Sequence, residues 1–257
     1  MLDEVIEYLN LKSGMKIIDA TLNGGGHTQG ILEKYPDTKI LGIEWDPDIF
    51  REFQKTETAR HITAVNESYT ELKKITEEHN FQPDGIIFDL GVSSMHYENS
   101  GRGFTFMKDE PLDMRFNPKS VSQTAADIVN LSSQEELERI LSEYGEEKLS
   151  QQISKGIIQA SKEKPINRTS ELVEVIENSV PGWYRNKKIH PATKTFQALR
   201  IAVNSELDNV EKGVLTAIDV LNSGGRLIVI SFHGLEDKIV REIFKQKAKE
   251  GIVKRVV

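Results

Sequence analysis

Cysteine is absent from all 257 residues, which excludes disulfides, a thiolate nucleophile and any cysteine-ligated zinc or iron–sulfur centre, and fits a reducing cytoplasm. Long apolar runs are missing too: no stretch reaches the roughly 18 residues that suggest a membrane span. The start, "MLDEVIEYLN", has neither the basic-then-apolar order of a secretory signal nor the Arg-rich character of a transit peptide. The expectation is a cytoplasmic protein that does not engage a membrane. Repeats and low-complexity tracts are lacking, and the length suffices for a sizeable core. Nor is there an excess of positive charge: the formal net charge of −7 argues against indiscriminate nucleic-acid binding. The charge is uneven, however. No acidic residue occurs between Asn178 and Ser205, whereas Arg185, Lys187, Lys188, Lys194 and Arg200 all do. Such a window reads either as a local anion-binding face or as a solvated loop with helix-end lysines.

What is present is a pattern of short strands. "KIIDA", "KILGIE", "HITAV" and "DGIIFDL" are β-branched, largely apolar runs separated by helix-like segments, the signature of buried parallel strands in βαβ units. A fifth run of the same kind, "GRLIVIS" at 225–231, comes only much later. The intervening texture is helical. "SSQEELERILSEYGEEKLSQQISKGIIQASKE" contains overlapping capping boxes at Ser132/Glu135 and Ser133/Glu136, then a stripe of Leu149, Ile153 and Ile157. "RTSELVEVIENSV" predicts another helix, stopped by Pro181-Gly182. Phe196, Leu199, Val203, Leu207, Val210, Val214 and Leu221 keep helical spacing, as one long helix or two joined ones, before "NSGG" leads into the fifth strand. The expected division is an α/β domain over 1–106 and 193–257, interrupted by a helical insertion over 107–192. A module so placed suits covering a cleft and recognising a substrate.

Chemistry is expected at the strand ends. "DATLNGGGHTQG" (19–30) sets three glycines between the first strand and a helix, where a turn needs conformational freedom or a ligand lies against bare backbone. Glu44 ends the second strand, where a carboxylate can accept both ribose hydroxyls of an adenosine. The dinucleotide fingerprint G-x-G-x-x-G is not met, because Gly30 falls one place late. Asp19 and Asp89 close the first and fourth strands. A pyrophosphate disfavours such acids, whereas a cationic nucleoside such as S-adenosylmethionine suits them; Asp19 alternatively caps a turn. "GVSSM" (91–95) lacks the second glycine of a nucleophile elbow, which argues against a serine hydrolase. In "SFHGLED" (231–237), Glu236 and Asp237 belong to the first turn of a helix, where acids favour the macrodipole. No second histidine is spaced to complete a metal site with His233, so no metal is expected.

These motifs, in this order, resemble the MraW/RsmH family of ribosomal RNA methyltransferases. The resemblance rests on "LDEVIEYL", "DATLNGGGHT", "DGIIFDLGVSS", "GRGFTF", "PLDMRF", "YGEEK", "HPATKTFQALRIAVNSEL" and "GGRLIVISFHGLED", which span nearly the whole chain. It implies a Rossmann-like, S-adenosylmethionine-dependent methyltransferase sheet with an inserted all-helical domain. The implied reaction is methylation of the exocyclic amine of a cytidine in the decoding region of small-subunit (16S-type) rRNA. By matching position, Gly24, Gly25, Gly26 and His27 would contact the cofactor, Glu44 would hold its ribose, Tyr69 would pack near the adenine and Asp89 would line the pocket near the base. His96 stands where the family often has a glutamine contacting the cofactor. Asn23 replaces a frequent glycine, Glu44 a usual aspartate and Gly234 a usual serine, and "GEEKLSQQISKG" lacks arginines of the family's "GEERFARRIA". The family's "H-x-P-V-L" before "DEV" and its "NPRSRSAKLR"-like tail are not found, and since that tail supplies the last strand, an unpaired sheet edge is expected.

The expected mechanism is in-line displacement, in which the protein orients an amine against an activated methyl carbon. The cytosine amine is a poor nucleophile, and an acceptor beside it, either Asp89 or a carbonyl of Leu90-Gly91-Val92, would localise its lone pair. The target base must be unpaired or flipped out. Arg102, Phe104 and Phe106 of "GRGFTF", Arg115 of "PLDMRF", and Lys187, Lys188 and Lys194 are the expected RNA contacts; for the two phenylalanines the alternative is core packing. The expected partner is small-subunit ribosomal RNA or the assembled subunit, with a homodimer left open. Two rivals stand beside this reading: a non-catalytic RNA-binding assembly factor that keeps the fold, and a dinucleotide-dependent oxidoreductase.

Overall fold

A computed structural model describes residues 1–256 of the chain. In chain order the elements are α1 (Leu2–Leu9), β1 (Lys16–Asp19), α2 (Gly26–Lys34), β2 (Lys39–Ile43), α3 (Pro47–Phe53), β3 (Thr63–Val65), α4 (Leu72–Glu78) and β4 (Gly85–Asp89). Then come α5 (Ser94–Asn99), α6 (Ala125–Leu131), α7 (Gln134–Glu143), α8 (Ser150–Glu163), α9 (Thr169–Ser179), α10 (Gly182–Arg185) and α11 (Ala192–Asn204). The chain closes with α12 (Glu206–Val220), β5 (Arg226–Ile230) and α13 (Gly234–Lys249). The Cα packing divides it into two compact units, residues 1–93 with those from 207 on, and residues 94–206. Among the described residues no helix is long and apolar enough to cross a membrane.

In the first unit all five strand expectations are met. They form one parallel sheet in the order β3-β2-β1-β4-β5, the arrangement of a Rossmann-like methyltransferase sheet. Successive side chains of a strand point to opposite faces, so each strand feeds two cores. Ile18, Leu41, Ile86 and Phe88 pack with Leu72 and Ile75 of α4, Val210 and Val214 of α12, and Val240 and Ile243 of α13. Ile17, Ile40 and Ile87 pack on the other face with Val5, Ile6 and Leu9 of α1 and Ile31 of α2. Both faces being covered, the strands read as continuous apolar runs rather than alternating ones. The order places β1 beside β4 although β2 and β3 intervene in sequence. This is the topological switch point, where the loops after β1 and β4 diverge and a crevice opens. Among the described residues β5 pairs only with β4.

The second unit is helical, as the sequence predicts. Leu137, Ile140 and Leu141 of α7, Ile153 and Ile157 of α8, and Leu172 and Ile176 of α9 form its buried stripes. Of the two overlapping capping boxes, one supplies an N-cap, through its serine half. Ser133 Oγ accepts the Glu136 N–H at 3.2 Å, while the Ser132 N–H is used to close α6 on the Ile128 carbonyl. The unit also takes in residues 94–106 and 193–206, which the sequence assigned to the sheet domain. The reason is packing: Phe104 is buried against His96 and Phe116, and α11 buries Phe196, Ala198 and Leu199 against α6, α7 and α9. The long periodic run is two helices, not one. Ser205 stands between α11 and α12 in the left-handed region (φ 49°) and breaks the ladder.

Candidate functional site

The turn after β1 answers why three glycines are needed. Gly25 is the N-cap of α2 with φ 78°, and its N–H donates to the Leu22 carbonyl at 2.7 Å. A Cβ there would meet the Phe53 ring at 2.5 Å, so only glycine fits. Gly24 and Gly26 differ: a Cβ on either would meet nothing within 4 Å. Open space lies over their backbone, the condition for a ligand to rest on bare peptide. Asn23, where the family has a frequent glycine, takes φ 48°, a left-handed conformation that asparagine tolerates better than most side chains.

Four titratable groups converge on this turn. Asp19 is 1% exposed; its Oδ2 accepts from Thr28 Oγ1 at 2.7 Å, while Oδ1 has no partner. Burial pushes its carboxyl up from the ordinary value, against the opposing Thr28 hydrogen bond. His27, in the first turn of α2, sets Nε2 3.4 Å from Asp89 Oδ2 and leaves Nδ1 buried without a partner. The Asp89 contact raises its pKa above the usual imidazole value, against the cost of desolvation. Asp89 itself is held by its backbone, whose N–H donates to Thr21 Oγ1 at 2.6 Å; its Oδ1 is buried and unpartnered. Buried polar atoms almost always find partners, so Asp19 Oδ1, His27 Nδ1 and Asp89 Oδ1 together mark a place built for a polar ligand.

Glu44 follows β2 and is 6% exposed. Its Oε2 accepts the Asn23 N–H at 2.8 Å and its Oε1 the Asp46 N–H at 2.7 Å, which ties the glycine turn to the end of β2. Burial pushes the carboxyl up from 4.5 to about 8 despite these two donors. A carboxyl that keeps its proton has one O–H to donate and lone-pair capacity left beyond these two bonds, so it can meet hydroxyl groups both as donor and as acceptor. Asp46 caps α3 by accepting the Asp48 N–H at 2.8 Å. Tyr69 stands edge-on to Phe88, with ring centroids 5.3 Å apart. Gly213 of α12 makes this possible, since a Cβ there would come within 2.6 Å of the Tyr69 ring. The first unit thus brings together Gly24, Gly25, Gly26, His27, Glu44 and Asp89, with Tyr69 packed on β4 behind them.

One residue of this unit escapes a sequence reading. The β4–β5 register pairs Asp89 with Ile230, which carries Gly91 opposite Phe232. Gly91 has φ 93°, and a Cβ on it would lie 3.4 Å from Phe232 Cδ2. Phe232 is 62% exposed although it flanks the buried end of the sheet. Its N–H donates to Oε2 of the buried Glu236 at 3.0 Å, which fixes the loop before α13. Glu236 and Asp237 do occupy the first turn of that helix. The available signal was an aromatic directly after a strand, which pattern alone does not separate from a core residue.

The expected RNA contacts lie in the second unit, and most are engaged there. Arg102 is 8% exposed, and its Nη1 donates to the Arg115 and Phe116 carbonyls at 2.8 and 2.9 Å. Phe104 is 5% exposed and stacks on Phe116. Arg102 and Phe104 are both buried and brace a loop that has little regular structure of its own, and for Phe104 this is the packing that the core alternative describes. Arg115 makes a bidentate pair with Asp113 at 2.8 and 2.7 Å. Phe106 stacks on His190 and meets Phe196 edge-on. Lys194 Nζ donates to the Glu146 carbonyl at 2.7 Å, and Arg200 pairs with Glu206. The acid-free window therefore offers fewer cations than its sequence suggests: Arg185, Lys187 and Lys188 stay exposed. His96 is buried in α5 between Phe104 and Phe116.

Comparison with known proteins follows the same lines. The family model described as the MraW methylase family matches residues 1–257. A protein named ribosomal RNA small subunit methyltransferase H from Syntrophobacter fumaroxidans is 40% identical over 253 residues, 97% of this chain and 79% of that protein. Its namesake from Carboxydothermus hydrogenoformans is 41% identical over 250 residues, 96% of this chain and 79% of the relative. That from Geobacter sulfurreducens is 42% identical over 251 residues, 96% of this chain and 80% of the relative.

Proposed function

The chain belongs to the MraW methylase family, and from that premise we propose that it transfers a methyl group from S-adenosylmethionine to the exocyclic amine of a cytidine in the decoding region of small-subunit ribosomal RNA. The carrying observation is the cluster of partnerless buried atoms, Asp19 Oδ1, His27 Nδ1 and Asp89 Oδ1, beside the open backbone of Gly24 and Gly26. Two acids at the switch point suit a cationic ligand, and the Glu44 carboxyl, with hydrogen-bonding capacity left beyond the Asn23 and Asp46 N–H groups, suits ribose hydroxyls. The residues present therefore fit the cofactor. Gly24, Gly25, Gly26 and His27 would hold it along the turn, Glu44 its ribose, and Tyr69 and Asp89 the sides of its pocket. For His96 the support is the family resemblance alone. When bound, S-adenosylmethionine supplies a methyl carbon activated by its sulfonium.

The protein's own task is orientation. Asp89 is held at its backbone by Thr21 and at Oδ2 by His27, which leaves Oδ1 to accept a hydrogen bond from the cytosine amine. Such an acceptor keeps the amine lone pair on nitrogen and stabilises the positive charge that develops there as nitrogen bonds to the methyl carbon, the carbon–sulfur bond breaks and the amine gives up a proton. Phe232, exposed across from Gly91, offers the extruded base a face to stack on. The substrate lies in ribosomal subunits, so the enzyme works in the cytoplasm.

Calorimetric titration tests the reading at its base. S-adenosylmethionine should bind with one site per chain and NAD should not; the reverse would restore the oxidoreductase. Asp89→Asn should keep cofactor binding but lose methyl transfer to small ribosomal subunits, and full activity in that variant would exclude its carboxylate as the acceptor.

A further inference from the structure

The segment 182–189 in the second unit holds more than loose lysines. Tyr184 is buried, and its Oη lies 2.7 and 2.8 Å from the two oxygens of Glu147, itself 3% exposed. Burial and this carboxylate raise the phenol pKa, so Tyr184 stays a neutral donor. At the far end His190 stacks on Phe106, with centroids 4.7 Å apart, and sets Nε2 3.3 Å from Glu177. The segment is therefore clamped at both ends. Arg185, Lys187, Lys188 and Ile189 between the clamps, and Trp183 just before the first, all face solvent. Trp183 stays 64% exposed while its ring is braced edge-on by Tyr184 at 5.6 Å. Lys187 Nζ stands 4.8 Å from the Trp183 ring centroid and 4.4 Å from that of Tyr184.

Leaving an indole in water forgoes a large apolar burial, and here the indole is held in place rather than merely tolerated. We propose that Trp183, with Arg185, Lys187 and Lys188, forms a docking site for single-stranded RNA, in which an unpaired base stacks on the indole and the flanking phosphates meet the three cations. Two observations favour RNA over a protein surface. No carboxylate occurs in the sequence from Asn178 to Ser205, and the two acids that touch the segment are turned to other partners, Glu147 to the Tyr184 hydroxyl and Glu177 to His190. Lys187 lies over the Trp183 ring, and an exposed aromatic ring carrying a cation beside it is also the combination by which single strands are gripped without sequence readout. This inference rests on RNA being the substrate and adds where, away from the target base, the strand is held.

The test is binding of a fluorescein-labelled, unstructured RNA oligomer followed by anisotropy at several salt concentrations. Methyl transfer to small subunits and the thermal shift with S-adenosylmethionine are measured alongside. Trp183→Ala should weaken RNA binding about tenfold and raise KM for the subunit with kcat and the cofactor shift unchanged; Trp183→Phe should recover much of the loss. Lys187→Ala/Lys188→Ala should lower the slope of log K against log salt by about 1.4, the share of two phosphate contacts on a single strand. Wild-type affinity and KM in Trp183→Ala would overturn the docking site while leaving the methyltransferase reading intact. A wild-type protein without affinity for RNA and without turnover would overturn the function first. A dimer in sedimentation that Trp183→Ala dissolves would assign the patch to a second copy of the chain instead.

Discussion

At the scale of single residues, the three consecutive glycines do two different jobs, and substitutions should separate them. Gly25 holds a left-handed backbone against Phe53, so Gly25→Ala should cost about 1–3 kcal/mol of stability from the conformation alone, seen as an earlier midpoint in urea. Gly26 has neither constraint. Gly26→Ala should leave the urea midpoint unchanged or slightly raised yet weaken S-adenosylmethionine about tenfold, because a methyl group would project into the open space. Glu44 gives a pH signature. Its carboxyl is raised from 4.5 to about 8 in the folded protein, so below about pH 4.5 both states hold the proton. Between pH 4.5 and 8 only the folded state retains it; stability therefore falls as pH rises through this window and levels off above it. Glu44→Gln should flatten that slope between pH 5 and 8 in urea titrations at fixed pH. The sequence shows Glu44 at a strand end; it does not show that both oxygens already tie down the neighbouring turn, since that depends on where Asn23 and Asp46 point their amides.

At the scale of elements, periodicity and capping chemistry carried most of the information. The strands were readable because both sheet faces are covered, which removes polar interruptions. Helices were readable where an apolar stripe met a cap. The helix α6 shows the limit: short, and preceded by irregular chain, it rests on Thr124, whose hydroxyl pairs with Asp127 in a reciprocal box. Thr124→Ala should cost about 1 kcal/mol in chemical denaturation while Thr124→Ser restores most of it. The loop of Arg102, Phe104 and Arg115 was readable as a motif but not as a shape. Its guanidinium groups are consumed by carbonyls and by Asp113, partners that irregular backbone needs and that no spacing rule announces. Phe232 was hidden for the opposite reason, because only the β4–β5 register brings it to Gly91.

At the scale of the whole molecule, charge and division into units decide what each part does. A chain of net charge −7 binds RNA only through a local surface, and within the acid-free window the helical unit leaves Arg185, Lys187 and Lys188 exposed near Trp183 in sequence while pairing Arg200 and occupying Lys194. The sheet unit keeps acids at its switch point, which suits the cationic cofactor proposed above. The sequence shows the acid-free window and the strand-end acids, while its unit boundaries differ from the packing division, which groups residues 94–106 and 193–206 with the helical side. Aromatic clustering of Phe104 with His96 and Phe116 is a tertiary fact, and hydrophobic pattern alone does not say which core a phenylalanine joins. The most direct measurement is mass mapping of small-subunit ribosomal RNA after incubation of unmodified subunits with the purified protein and methyl-labelled S-adenosylmethionine. The account predicts label on the exocyclic nitrogen of one cytidine in the decoding region, abolished in Asp89→Asn; label on any other atom, or none at all, would contradict it.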